Sequence, residues 1–236
     1  MKLFNWLWRP VQPGNAALAS RLAALPAAPQ ALAADVTLRQ QRWVVVDVET
    51  TGLSLARDHV LSIGAVAIED GAVTPSRSFA RTLARTHKPG PSVLLHGLGP
   101  GALAAGCAPE QALLEFLEFT GSSPLLAFHA AFDQHMLARA MKQSLGYRWQ
   151  APFLDVAELA PLLLPDGPRQ GAGLDEWIAH LRLEINERHH AVADAQVTAE
   201  AAMMLFSHAR RQGLDTPQAL QQRLGQWRRR QATHRL

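Results

Sequence analysis

The sequence predicts an α/β domain built on a mixed β-sheet, and three observations support this prediction. A β-branched run begins at Trp43, and two further strand-like runs follow it closely. Downstream, helical patterns alternate with a short apolar strand at 125–128. The chain shows no internal repeat of the kind that marks a solenoid. A strand meander followed by alternating helices and strands is typical of an α/β sandwich on a mixed sheet.

The three predicted strands of the meander are apolar runs bounded by turn residues. The run at 43–48 has the character of a buried central strand, and the Thr-Thr-Gly turn at 50–52 ends it. A second strand is predicted at 60–68 and a third at 72–83. The dipeptide Asp70-Gly71 between them is a hairpin signal, so the three strands should form an antiparallel meander.

The second half of the chain predicts helices. Pro109 suits the first turn of a helix that runs to about 120, with leucines spaced along one side. The segment 88–106 is rich in proline and glycine and is predicted to be a loop. Further helices are predicted at 130–145, 155–164, 174–181 and 191–212.

Three regions are expected along the chain. Residues 1–40 form an Ala/Pro-rich helical extension, packed on the domain or partly mobile, in which Trp6 and Trp8 should cover an apolar surface. Residues 41–212 form the main domain. Residues 213–236 are a basic tail, and its arginine-bearing part at 221–236 is interpreted as a solvated helix end or a frayed terminus. The alternative is that its arginines contact a phosphate backbone.

Composition excludes several classes of protein. The 236 residues are 48% apolar and 18% charged, which argues against a mostly disordered chain. A single cysteine, Cys107, excludes a disulfide framework and a multi-cysteine zinc ribbon. The apolar stretch at 60–68 is far shorter than the roughly 20 residues that cross a bilayer, so no membrane association and a cytoplasmic location are expected. A net charge of +3 permits a nucleic-acid partner without requiring one.

The strongest local signal is the pair of carboxylates at the end of the first strand. Asp47 and Glu49 are two residues apart, so both side chains project from the same face. Two adjacent carboxylates repel each other unless a cation lies between them, and Mg²⁺ or Mn²⁺ prefers oxygen ligands. The alternative is a pair of solvated charges, but the preceding valines and the following turn favour a buried central strand.

Two more aspartates have contexts that fit the same site. Asp133 lies in the first turn of the helix after the strand at 125–128, and Asp194 lies near the start of the last long helix. Each could instead be a residue favoured by the helix dipole. Four carboxylates would balance two divalent ions, and a two-metal site stabilises both the attacking and the leaving oxygen of a phosphoryl displacement.

These segments resemble the three motifs of the DEDDh 3′→5′ exonucleases, a DnaQ-like superfamily. The matching sequences are DVETTGL at 47–53, Phe132-Asp133, and the pattern HxAxxD at 189–194. The likeness extends over about 42–210 and is greatest to the proofreading epsilon subunit of bacterial DNA polymerase III. Family members often carry His and Asn where this chain has Phe128 and His129.

The resemblance implies a fold and a catalytic set. The fold would be RNase H-like, with a central mixed five-stranded sheet flanked by helices. His189 would be the general base for the attacking water, since its spacing of five residues from the last aspartate selects the histidine class over the tyrosine variant. His190 is expected to be a bystander. Two Mg²⁺ or Mn²⁺ ions would be held by Asp47, Glu49, Asp133 and Asp194.

The resemblance also implies a substrate side. The backbone around Thr50 and Thr51 resembles the family elements that hold the terminal nucleotide, and Leu53 could wedge against the 3′ base. His96 matches a position near that nucleotide, with a simple loop histidine as the alternative. Asp155 resembles a recurrent helix start and is interpreted as a structural cap.

The implied function is a metal-dependent 3′→5′ exonuclease that releases nucleoside 5′-monophosphates from single-stranded or frayed DNA. An RNA-trimming enzyme of the same superfamily and a non-catalytic nucleic-acid-binding module are the alternatives. DNA is favoured over RNA because the sequence ETTGL is typical of the epsilon-like branch. The intact catalytic set argues against a module without activity. Association with a DNA polymerase is a further expectation, although no clamp-binding motif follows the domain.

Overall fold

The computed structural model describes residues 16–26, 31–85, 92–185 and 188–233, apart from the side chains of residues 75 and 76. Five strands form one sheet in the order β3-β2-β1-β4-β5, which confirms the predicted mixed five-stranded sheet. The strands are β1 (Trp43–Thr50), β2 (Val60–Glu69), β3 (Ala72–Thr82), β4 (Leu125–Ala127) and β5 (Phe153–Asp155). The last of these has only three residues, and no apolar run predicted it.

Nine helices accompany the sheet in the part of the chain that the structure describes. They are α1 (Ala16–Ala23), α2 (Val93–His96), α3 (Pro100–Ala104), α4 (Pro109–Thr120), α5 (Ala130–Leu145), α6 (Val156–Leu163), α7 (Leu174–Leu181), α8 (Ala191–Arg211) and α9 (Pro217–Thr233). The five helices predicted from the sequence are confirmed, to within one residue at each end. None of the described helices is long and apolar enough to cross a membrane.

The strand pairing places the end of β1 at the centre of one sheet edge. Strands β1, β2 and β3 pair antiparallel, as the predicted meander requires. Strand β4 pairs parallel with β1, and β5 pairs parallel with β4. The carboxyl ends of β1, β4 and β5 therefore meet at the same edge of the sheet, and short connections lead from β4 into α5 and from β5 into α6.

The core has two layers because successive side chains of β1 point to opposite faces of the sheet. Trp43 and Val45 pack with α6, α8 and α9 on one face, and the ring centroid of Trp43 lies 5.1 Å from that of Phe206. Val44 and Val46 pack with α4 and α5 on the other face. All four residues are buried, so β1 is the central strand that its β-branched sequence predicts.

The chain beyond residue 212 differs from the predicted tail. Residues 217–233 form helix α9, whose Leu220 and Leu224 are fully buried in the layer formed by α6 and α8. Trp227 packs against the same layer, so the apolar positions follow the i, i+4, i+7 spacing of an amphipathic helix. The predicted solvated helix end fits the last turns of α9, where Arg228, Arg229 and Arg230 are exposed. The apolar stripe that packs on the domain was not predicted, because the many arginines obscured it.

The segment predicted to be a loop at 88–106 is a second difference. Its described part contains the short helices α2 and α3, and Pro100 occupies the first turn of α3. Proline and glycine still shape this segment, because Pro100 begins α3 and Gly97 ends α2. Gly97 closes α2 in a left-handed conformation, with φ of 67°.

The N-terminal extension is described only in part. Helix α1 lies against α4, where the Arg21 guanidinium pairs with the Glu118 carboxylate at 2.7 Å. Leu32 and Leu38 are buried in the core. The predicted roles of Trp6 and Trp8 lie outside the described residues.

Helix α8 meets strand β2 main chain to main chain at Gly64. A Cβ on Gly64 would lie 2.1 Å from the carbonyl carbon of Ala191 and 2.2 Å from the nitrogen of Val192. Gly64 also faces Asp47 in the β1–β2 register. The first turn of α8, which contains Asp194, is therefore fixed beside Asp47 by a contact that only glycine permits.

We expect Gly64→Ala to destabilise the protein by about 1–3 kcal/mol, because the added methyl group overpacks a backbone contact. Gly225→Ala is the matched control, since a Cβ on Gly225 in α9 would meet only the Arg229 guanidinium at 3.7 Å. That control should be neutral or stabilising by up to about 1 kcal/mol. Urea denaturation measures both free energies of unfolding, and an equally stable Gly64→Ala protein would contradict the packing argument.

Candidate active site

Strand β1 and helix α8 bring three carboxylates together at the sheet edge. One carboxylate oxygen from each of Asp47, Glu49 and Asp194 lies within 4.8 Å of the other two. Asp47 and Glu49 share one face of β1, and Asp194 comes from the first turn of α8. Three carboxylates this close form an oxygen-rich site that suits a hard divalent cation.

Asp133 adds a fourth carboxylate beside this group. It lies in the first turn of α5 and is 4% exposed. Its Oδ1 accepts a hydrogen bond of 3.2 Å from the backbone N–H of Val48, the residue between Asp47 and Glu49. The structure thus brings together all four acidic residues that the sequence singled out.

Burial and repulsion between charges raise the pKa of three of these carboxyl groups, those of Asp47, Glu49 and Asp133. Burial raises the pKa of Asp47 well above its ordinary value, and the charges of Asp133 and Asp194 raise it further. The pKa of Glu49 is raised to about 7, chiefly by burial and then by Asp194. Burial likewise raises the pKa of Asp133. A bound cation would relieve this repulsion, so the donor set fits a divalent metal ion.

Arg188 is a basic residue of the site that the motif analysis did not identify. Its guanidinium pairs with Oδ1 of Asp194, and its Nε lies 2.5 Å from Oδ1 of Asp175 in the first turn of α7. Its positive charge opposes the rise in the pKa of Asp47 and of Glu49. The sequence feature that could have identified Arg188 is its position immediately before the HxAxxD pattern at 189–194.

His189 and His190 occupy different positions at the start of α8. His189 is exposed, and its positive φ of 59° is unusual for a residue other than glycine. Its backbone N–H donates to Oδ2 of Asp194 at 3.1 Å. His190 is the N-cap residue of α8, and its carbonyl accepts the N–H of Asp194 at 3.0 Å. The backbone of both histidines is therefore tied to Asp194.

The turn after β1 uses the hydroxyl groups of both threonines internally. Thr50 Oγ1 donates to the carbonyl of Gly52 at 2.8 Å, and Thr51 Oγ1 donates to Oδ1 of Asp58 at 2.7 Å. The hydrogen bond from Thr51 is the main cause of the lowered pKa of Asp58. Leu53, at the tip of this turn, is 85% exposed. The turn is thus rigid and presents an apolar side chain to the surroundings.

His96 lies at the end of α2, beside the same turn. Ser92 Oγ donates to the carbonyl of Thr51 at 3.2 Å, which joins α2 to the turn. His96 Nδ1 accepts the N–H of Leu98 at 3.1 Å, and its Nε2 is buried. Burial lowers the pKa of His96, which favours the neutral imidazole.

Asp155 caps helix α6, and its predicted structural role is confirmed. Its Oδ1 accepts the N–H of Ala157 at 2.9 Å and also the N–H of His129 at 3.0 Å. His129 is left-handed, with φ of 64° and ψ of 47°. Asn and His both adopt this conformation more readily than most residues. The histidine that replaces the family's usual asparagine therefore suits the backbone before α5.

The sheet order and the acidic edge define an α/β domain of the RNase H-like class. Residues 44–202 match the model of the RNase_T family, which is described as an exonuclease. Because this match covers more than half of the sequence, the chain belongs to the RNase_T exonuclease family.

Sequence relatives include proteins that carry the name of DNA polymerase III. The chain is 30% identical over 191 residues to the DNA polymerase III PolC-type protein of Thermotoga petrophila. This alignment covers 78% of this chain and 13% of the relative. It is 31% identical over 188 residues to the DNA polymerase III subunit epsilon-like protein of Rhodobacter capsulatus, covering 78% of this chain and 26% of the relative. The chain thus spans only a small part of these relatives.

Solved structures of exonucleases share the fold. The Escherichia coli ExoI–ssDNA complex aligns with a TM-score of 0.61 at 18% identity, over 73% of this chain and 42% of that chain. Exonuclease X in complex with 5′-overhanging duplex DNA aligns with a TM-score of 0.56 at 18% identity, over 76% of this chain and 98% of that chain. At these identities the likeness establishes the fold.

The raised pKa of Glu49 predicts how the stability of the metal-free protein depends on pH. Its pKa is about 7 in the folded protein and 4.5 ordinarily, so between these values the folded state binds more protons than the unfolded state. The free energy of unfolding should therefore fall as pH rises from about 4.5 to about 7. Urea denaturation with a chelator present measures this slope.

Glu49→Gln removes this ionisation and should flatten the slope in part. The raised pKa values of Asp47 and Asp133 act in the same direction, so some of the slope should remain. An unchanged slope in Glu49→Gln would contradict the assignment of the pH dependence to Glu49.

Proposed function

We propose that this chain is a metal-dependent 3′→5′ exonuclease. It hydrolyses the terminal phosphodiester of single-stranded or frayed DNA and releases nucleoside 5′-monophosphates. The observation that supports this proposal is the gathering of four carboxylates from β1, α5 and α8 at one sheet edge, three of them with oxygens within 4.8 Å of one another. Membership in the exonuclease family supports the same reaction class.

The proposed cofactors are two Mg²⁺ or Mn²⁺ ions. Asp47, Glu49 and Asp194 would hold one ion between their neighbouring oxygens, and Asp133 would complete the set for a second. Divalent ions supply a water molecule of lowered pKa and neutralise the charge of a phosphate under attack. The carboxylates provide acceptor oxygens only, which is the donor set that these hard cations prefer.

His189 is the proposed general base. An imidazole that is open to the surroundings can accept a proton from the attacking water. The bond from the His189 backbone N–H to Asp194 keeps this residue beside the carboxylates. After hydrolysis the imidazolium can return its proton to solvent, since the side chain is exposed.

The substrate side is proposed to lie along the rigid turn after β1. Leu53 is exposed there and would stack against the terminal base, because base stacking needs only an apolar surface. The backbone of Thr50 and Thr51 would line the terminal nucleotide. His96, joined to this turn through α2, would lie near the same nucleotide as a neutral imidazole.

DNA is the proposed substrate, ahead of RNA. Two solved structures that share the fold contain DNA. ExoI is bound to single-stranded DNA, and Exonuclease X is bound to 5′-overhanging duplex DNA. Association with a DNA polymerase is also proposed, on the ground that relatives carry the names of DNA polymerase III proteins.

We expect Asp47→Asn to lower the rate of hydrolysis by about 10²–10³-fold or more, because the amide removes a negative charge from the centre of the site. The assay follows the stepwise shortening of a 5′-labelled single-stranded DNA in Mn²⁺, with a chelator as the metal-free control. Shortening by Asp47→Asn at the wild-type rate would contradict the proposed site.

The same assay with an RNA strand of matched sequence decides the substrate class. Faster shortening of DNA supports the proposal. Faster shortening of RNA would favour the RNA-trimming alternative, and binding of either strand without shortening would favour a non-catalytic module.

The neighbouring histidines provide a matched test of the general base. We expect His189→Ala to lower kcat by about 10²–10⁴-fold with little change in KM, as loss of a general base does. His190→Ala should keep nearly full activity, because the His190 side chain makes no capping hydrogen bond. Steady-state kinetics on the labelled DNA compares the two variants, and equal losses of kcat would contradict the assignment.

A further inference from the structure

Arg188 lies against the carboxylate cluster, yet no role proposed above uses it. Its guanidinium bridges Asp194, which is 5% exposed, and Asp175, whose side chain is 73% exposed. The Arg188 side chain itself is 24% exposed, so one side of it remains open to the surroundings. A partly buried arginine at the edge of a phosphodiester-cleaving site is placed to contact phosphate.

Asp194 uses both of its carboxylate oxygens within the chain. Oδ1 pairs with Arg188, and Oδ2 accepts the backbone N–H of His189. Asp194 is also one of the three carboxylates whose oxygens lie within 4.8 Å of one another. A divalent ion held by this group would therefore compete with Arg188 for the same carboxylate.

Asp175 gives Arg188 a second anchor outside the cluster. It comes from the first turn of α7, and it binds Nε of Arg188, whereas Asp194 binds a terminal guanidinium nitrogen. The two contacts use different nitrogens of the planar guanidinium group. Arg188 can thus release Asp194 and remain held by Asp175, with its terminal nitrogens free for another anion.

We propose that Arg188 is a phosphate-positioning residue that exchanges Asp194 for the phosphate of the substrate's terminal phosphodiester. The exchange replaces one anion by another, and the five N–H donors of the guanidinium match phosphate oxygens in a bidentate geometry. Asp175 holds the arginine at the site in both arrangements. This inference rests on the proposed exonuclease function, because that reaction brings the phosphate to Asp194.

A purely structural role for Arg188 makes the opposite prediction for metal binding. If Arg188 serves only to hold Asp194 in place, its removal should loosen Asp194 and weaken the binding of Mn²⁺. If Arg188 competes with the cation, its removal should strengthen the binding of Mn²⁺. The two roles also differ for phosphate, since only the proposed role requires Arg188 to bind it.

The test measures binding rather than turnover. Titration with Mn²⁺, followed by the electron paramagnetic resonance of the free ion, should give a several-fold lower Kd for Arg188→Gln than for wild type. The Mn²⁺-saturated Arg188→Gln protein should bind dTMP at least about tenfold more weakly, because a charge-assisted hydrogen bond to phosphate is lost. Its binding of thymidine, which lacks the phosphate, should be unchanged.

Two variants serve as controls. Arg188→Lys keeps the charge and should restore most of the wild-type Kd for Mn²⁺, while dTMP binding stays weaker because lysine lacks the bidentate fork. Arg21→Gln removes an arginine that pairs with Glu118 on α4 and should change neither Kd. Circular dichroism of each variant establishes that it is folded.

Weaker binding of Mn²⁺ by Arg188→Gln, or unchanged binding of dTMP, would overturn the proposal. Failure of the proposed function is distinguishable, because it would appear in the wild-type protein as a lack of DNA shortening. If the wild type shortens DNA and Arg188→Gln binds dTMP normally, only the role of Arg188 fails.

Discussion

The backbone contact between helix α8 and strand β2 at Gly64 governs the geometry of the site. Gly64 faces Asp47 across the β1–β2 pair, and the Ala191–Val192 peptide lies where a Cβ of Gly64 would project. The helix therefore approaches the sheet more closely than any side chain would allow. Because Asp194 lies in the same first turn, main-chain packing brings its carboxylate to that of Asp47.

This packing imposes an electrostatic cost that the chain offsets only in part. Burial and repulsion raise the pKa of Asp47, Glu49 and Asp133, so their charged forms are unfavourable in the metal-free protein. The Val48 N–H at Asp133 and the Arg188 guanidinium at Asp194 compensate locally. A cation bound among these carboxylates would offset their repulsion and so stabilise the folded protein. Functional sites commonly lower the stability of the protein that carries them.

The sequence predicted those features that depend on local patterns. The alternation along β1 placed Asp47 and Glu49 on one face, and the helical spacing located α5 and α8 with their aspartates in the first turn. Such features follow from periodicity within one element. The order and spacing of the three motifs then indicated that the acidic residues of these elements belong to one site.

Other features depend on contacts between distant residues, and no local pattern encodes them. Arg188 joins Asp175 of α7 to Asp194 of α8, which requires knowledge of where two helices lie. Helix α2 has four residues, too few for a period to be recognised. The burial of α9 depends on α6, whose Glu158 also pairs with Arg228. In each case tertiary packing decided what the local sequence left open.

The most direct measurement of the metal site is anomalous X-ray diffraction at the manganese edge, from crystals grown with Mn²⁺ and dTMP. Two manganese peaks are expected among the carboxylates of β1, α5 and α8, with the phosphate of dTMP beside them. Each of Asp47, Glu49, Asp133 and Asp194 should contribute at least one ligand oxygen. Manganese bound elsewhere on the protein, with none at these four side chains, would contradict the assignment of this edge of the sheet as a metal-dependent active site.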